Sequence, residues 1–172
     1  MQVVLKMSVE MKRKFQISAF LFLCILFIPM SARTQEEKKT TVIFVCEHGG
    51  ARSTIASLYF NKMALDNHLP YRSIFRGLTP DPVITKETKE GLIKDGFETT
   101  SLSPVALTTK DVTSNALVIS LDCVAPTTYQ TYHTWNGIPA ISENYDAARN
   151  AIVKLLNELV IELKNKKQLT KN

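Results

Sequence analysis

Hydrophobic positions along this chain fall into blocks whose spacing switches between that of a strand and that of a helix. Thr41 to Val45 is an uninterrupted run of β-branched and aromatic residues, which predicts a strand buried on both faces. The run stops at Cys46. After a polar, glycine-bearing stretch, Ile55, Ala56, Tyr59, Phe60 and Met63 recur every three or four residues and predict a helix. His68-Leu69-Pro70 ends that pattern, and Tyr71 to Phe75 predicts a second strand closing at Arg76-Gly77. Thr79-Pro80-Asp81-Pro82 is turn chemistry, and Thr85 is placed to cap a second helix that carries Glu87 and Glu90 and ends at Gly96.

Beyond residue 100 the pattern loosens. Ser103 to Val112 predicts a short helix or an ordered loop, and Ala116 to Leu121 a third strand. Residues 126–136 read as a loop crowded with Tyr129, Tyr132, His133 and Trp135, which either wall a pocket or tuck against the core. Ile138 to Ile141 predicts the last strand. From Ser142 onward, Ala148, Ile152, Leu155, Leu159 and Leu163 form one apolar stripe at helical spacing, the mark of a face that packs on a core. No internal repeat is visible.

The chemistry concentrates between the first strand and the first helix, in Cys46-Glu47-His48-Gly49-Gly50-Ala51-Arg52-Ser53. Two adjacent glycines allow positive φ, so successive peptide N–H groups can turn towards one point. The following helix aims its positive dipole end at that point. Residues Glu47 to Arg52 are thus expected to form a cup for an oxyanion, with the Arg52 guanidinium gripping two oxygens at once. Cys46 lies beneath the cup, where the field that attracts an anion also favours a thiolate nucleophile, and Ser53 can offer its hydroxyl to the sulfur. His48 reads first as an exposed or hydrogen-bonding loop residue. At the end of the third strand, Asp122 and Cys123 are expected to face the same crevice, because ligands of open parallel sheets sit beyond the carboxyl ends of the strands.

Cys46, five intervening residues, Arg52 and Ser53, set directly after a hydrophobic strand, resemble the phosphate loop of the low-molecular-weight protein tyrosine phosphatase and arsenate reductase superfamily. The resemblance runs from about Thr41 to about Leu163. It implies an α/β fold, a three-layer sandwich with a four-stranded parallel sheet of flavodoxin-like order 2-1-3-4 and helices on both faces. It also implies catalytic roles for Cys46, Arg52, Ser53 and Cys123. Two departures stand out. The usual loop has Asn where this chain has Gly49, and Ala140, after Pro139, stands where an acidic Asp is usual.

Composition changes the picture mainly at the front. The 172 residues, 45% of them hydrophobic, make room for one domain. Residues 15–30 are apolar except for Gln16 and Ser18 and follow Lys12-Arg13-Lys14, with Ser31-Ala32 offering small residues for cleavage. This is the layout of a secretory signal over residues 1–32, with an uncleaved membrane anchor as the alternative. A polar tether (33–40), the domain (41–165) and a basic tail (166–172) would follow. The leader carries a net +3 of the chain's +5, so the body is nearly neutral and nucleic acid is excluded as a partner. Nothing in the pattern calls for a metal or another cofactor, and a monomer is expected.

Three chemistries compete. A phosphatase would attack phosphorus with Cys46, form a phosphocysteine and hydrolyse it, acting on a phosphoprotein or phosphorylated metabolite. With Ala140 in the acid's place, Asp122, Glu47 or His48 would have to supply the leaving-group proton. An arsenate reductase would resolve its Cys46 adduct with Cys123 or an external thiol reductant. The Cys46-Cys123 disulfide is expected to be favoured in an oxidising compartment. A non-catalytic oxyanion-binding or redox-sensing module is the third reading.

Overall fold

The computed structural model describes residues 39–169. The predicted signal segment, nearly all of the tether and the last three residues of the basic tail lie outside the described residues. The elements are β1 (Thr40–Cys46), α1 (Arg52–Asp66), β2 (Tyr71–Gly77), α2 (Lys86–Lys94), β3 (Leu117–Leu121), β4 (Thr131–Trp135) and α3 (Tyr145–Leu169). The four strands form one sheet in the order β2-β1-β3-β4, and every neighbouring pair is parallel. This is the flavodoxin-like arrangement expected from the sequence.

β1 reads as a solid apolar run because both of its faces are covered. Val42, Phe44 and Cys46 face a core built with Ile55, Ala56 and Phe60 of α1, Leu92 of α2 and Ile152, Leu156 and Leu163 of α3. Phe44 sits at its centre, with ring centroids 5.7 Å from both Phe60 and Trp135. Ile43, Val45 and Val118 face the other way, against Ile74, Leu107, Val112 and Ala116. That second face is covered largely by irregular chain between α2 and β3, so the ordered-loop alternative for 103–112 is the one realised. An Arg76–Asp111 ion pair of 2.7 Å pins this coil to the end of β2.

Thr85 caps α2 as expected, its hydroxyl accepting from the Thr88 N–H at 3.3 Å. Gly91 lets α2 approach the start of α3 closely, since a Cβ there would lie 2.4 Å from the Tyr145 ring. Asp95, just past α2, accepts from the hydroxyls of Tyr59 and Tyr145, each at 2.7 Å, and so ties α1, α2 and α3 together.

The last strand is not where the apolar pattern put it. β4 is Thr131–Trp135, inside the segment read as a loop, and Ile138 to Ile141 is irregular chain whose two isoleucines are buried. Pro139 has no N–H to give a ladder, and Gly137 turns the chain at φ +76. Thr-Tyr-His-Thr-Trp, by contrast, is β-branched and aromatic throughout. The aromatics do not gather into a pocket wall: Trp135 is in the core, and Tyr132 bonds to Glu162 of α3. On α3 the buried stripe runs through Leu156, while Leu155 only flanks it.

Candidate active site

The register β1–β3 sets Val45 beside Ser120, which brings Cys46 and Asp122 to one edge of the sheet, at the strands' carboxyl ends. The loop that follows β1 is held by its carbonyls. Those of Cys46, Glu47, His48 and Gly50 accept from the N–H groups of Leu78, Thr79, Asp81 and Thr85 at 3.2, 2.9, 3.0 and 3.0 Å. The Gly49 carbonyl accepts from the Thr54 hydroxyl at 2.8 Å, and that of Ala51 from the Ile55 N–H at 3.0 Å. In a trans peptide the N–H points opposite to the C=O of the same unit. Six consecutive carbonyls drawn to the surrounding chain therefore leave the amides of residues 47–52 turned towards the space above Cys46.

Two further features keep that space open to an anion. Ala51 is the N-cap of α1 and provides no side-chain cap, so the first-turn donors are not consumed by a capping oxygen. Gly49 has φ +67, and a Cβ there would come within 2.8 Å of the Gly77 backbone nitrogen. Gly49 thus lets the end of β2 pack directly on the loop, a close approach that a side chain would obstruct.

Cys46 is 5% exposed, and its sulfur lies 3.1 Å from the hydroxyl of the fully buried Ser53. Arg52 closes the loop. Its Nη2 donates to the Ile138 carbonyl at 3.3 Å, and its Nε lies 3.2 Å from Oδ2 of Asp122, an ion pair without hydrogen-bond alignment. Asp122, at φ +46, also accepts from the N–H groups of Gly137 and Ile138 at 2.7 and 3.1 Å. Its carboxylate is committed to holding the guanidinium and the loop after β4.

Around the rim, Glu47 accepts from the Thr79 hydroxyl at 2.6 Å, and Nδ1 of His48 lies 3.5 Å from Oδ1 of Asp81. The structure thus brings together Cys46, Glu47, His48, Gly49, Gly50, Ala51, Arg52, Ser53 and Asp122. Thr79 and Asp81 were overlooked in the sequence because Thr-Pro-Asp-Pro reads only as turn chemistry. That turn is the scaffold of the cup.

The expected Cys46–Cys123 disulfide is not formed in this structure. Both cysteines are free. The Cys123 thiol donates to the Val45 carbonyl at 3.4 Å. Burial pushes its pKa up to about 11, and the negative charges of Cys46, Glu47 and Asp122 reinforce the shift against one hydrogen bond to backbone. At neutral pH it is a thiol, which is a poor attacking group.

No family model matches this sequence, and no curated protein matches it. Solved structures do. The low-molecular-weight protein tyrosine phosphatase of T. tengcongensis is 16% identical, with a TM-score of 0.60 over 72% of this chain and 99% of that one. A phosphorylated active-site serine mutant of the Bacillus subtilis arginine phosphatase YwlE is 19% identical, with a TM-score of 0.60 over 76% and 99%. The thioredoxin-dependent arsenate reductase of Corynebacterium glutamicum is 25% identical, with a TM-score of 0.54 over 77% and 63%. The chain has the fold shared by low-molecular-weight protein tyrosine phosphatases and arsenate reductases.

Proposed function

We propose that this chain is a phosphomonoesterase that works through a phosphocysteine on Cys46. The observation that carries this reading is the run of six outward-held carbonyls, from Cys46 to Ala51, over a buried cysteine whose sulfur meets the Ser53 hydroxyl. Amides fixed in advance stabilise charge on three equatorial oxygens without reorganisation. Arg52, anchored by Asp122 and the Ile138 carbonyl, adds a cation at the cup's edge. In the first step Cys46 Sγ bonds to phosphorus and the ester oxygen leaves with its electron pair. In the second, water displaces the sulfur, and the Ser53 hydroxyl stabilises the thiolate as it departs.

Burial pushes the Cys123 thiol up, which disfavours resolution of an adduct by this residue and would leave a reductase dependent on an external thiol. The fold neighbours include a phosphatase with a phosphorylated active-site serine, which fits phosphoryl transfer to a protein side chain in this fold. Hydrolysis of an aryl phosphate tests the proposal directly: Cys46→Ala and Arg52→Ala should each abolish or cut it by at least about a hundredfold. Thiol-dependent arsenite formation without phosphate release would replace this reading with the reductase one.

A further inference from the structure

Phosphate-ester cleavage at such a cup needs a proton for the leaving oxygen, and the chain after β4 that meets Arg52, Asn136-Gly137-Ile138-Pro139-Ala140-Ile141, has no carboxylate. Asp122 is committed to Arg52 and two amides. Glu47 is turned onto the Thr79 hydroxyl at 2.6 Å. We propose that His48, held by Asp81, is the proton donor and acceptor of the reaction, a role that rests on the hydrolase reading above.

The geometry assigns it as follows. His48 sits two residues from Cys46 on the loop that forms the cup, and its side chain is 62% exposed. Asp81 holds it twice: the Asp81 N–H donates to the His48 carbonyl at 3.0 Å, and the Asp81 carboxylate lies 3.5 Å from Nδ1. The Asp81 carboxylate lies beside Nδ1, an ion pair whenever the ring is protonated, and no hydrogen bond to another described residue occupies Nε2 of this exposed side chain. Asp81 is the charged group opposite the ring, with Glu47 beside it on the loop and Arg52 across the cup tied to Asp122.

The steps balance. As the Cys46 Sγ–P bond forms and the P–O ester bond breaks, the electron pair moves to the ester oxygen and imidazolium His48 delivers the Nε2 proton, releasing a neutral alcohol. Neutral His48 then takes a proton from the water that bonds to phosphorus. The P–S bond breaks, thiolate returns and inorganic phosphate leaves. An imidazole ring can both give and accept a proton, which suits both directions of transfer.

The experiment uses a series of aryl phosphates graded by leaving-group acidity, with wild type, His48→Gln and Asp81→Asn. Wild type should show a shallow dependence of kcat/KM on leaving-group pKa. His48→Gln should lose about a hundredfold or more on the poorest leaving groups and little on the best, where no proton is needed. Asp81→Asn should show the same graded loss as His48→Gln but a smaller one, because the ring is then no longer held beside the cup. Inorganic phosphate binding should persist in both variants, which separates a lost proton donor from a lost cup. A uniform loss across the series in His48→Gln, or full activity of that variant on the poorest leaving groups, overturns the role of His48 alone. No turnover by wild type overturns the hydrolase reading and this role with it.

Discussion

At Asp122 a single carboxylate decides what Arg52 can do. A guanidinium at the mouth of a cup samples many rotamers unless it is held, and Asp122 with the Ile138 carbonyl holds it. Asp122→Asn should therefore weaken inorganic phosphate binding about five- to tenfold by calorimetry. Tighter binding in that variant would mean that Asp122 competes with the anion instead of positioning its ligand. Gly49 is the second residue whose chemistry is dictated locally. At φ +67, with the Gly77 nitrogen 2.8 Å from where a Cβ would sit, Gly49→Ala should cost about 2 kcal/mol or more, seen as a lower Tm. The loop was legible in the sequence because glycines, arginine and cysteine announce it themselves. The partners that hold it were not. Asp122 and Asp81 are 70 and 33 residues away from the groups they face, at Arg52 and His48, and nothing local marks such a contact.

The elements show the same division. β1, α1 and α3 were readable because each has a strong apolar period and a face buried on one core. β4 was misplaced because Ile138 to Ile141 is the more apolar run, whereas an edge strand next to solvent needs only the β-branched and aromatic character of Thr131–Trp135. The coil over Ile43, Val45 and Val118 is tied to β2 by backbone hydrogen bonds at Gly77 and by the Arg76–Asp111 ion pair. The Arg76 guanidinium, 2.7 Å away, and the Thr108 hydrogen bonds hold the Asp111 carboxyl below the usual range, against the opposing effect of burial. A depressed folded-state pKa means stability that is complete above the unfolded carboxyl value, about 3.9, and lost as pH falls through the lower folded value. Asp111→Asn should accordingly be less stable than wild type at pH 7, and the difference in Tm should shrink below about pH 4. A difference independent of pH would show that the pair does not hold the coil electrostatically.

For the whole molecule, the cup, its clamp and its rim come from four separate segments: the β1–α1 loop, the turn after β2, the end of β3 and the chain after β4. The parallel order 2-1-3-4 is what delivers them to one edge. We propose that this domain is exported, on the basic, apolar and small-residue order of residues 1–32. Intact-mass analysis of the native protein should then show a chain starting near Arg33, and a full-length soluble cytoplasmic species would contradict it. The phosphocysteine itself is the most direct observable. Wild-type protein mixed with an aryl phosphate and quenched in acid within the first turnover should yield a Cys46 peptide heavier by one phosphoryl group, decaying as phosphate appears and missing in Cys46→Ala. Steady phosphate release with Cys46 unmodified at every time, or with turnover surviving in Cys46→Ala, would contradict covalent catalysis at this cup.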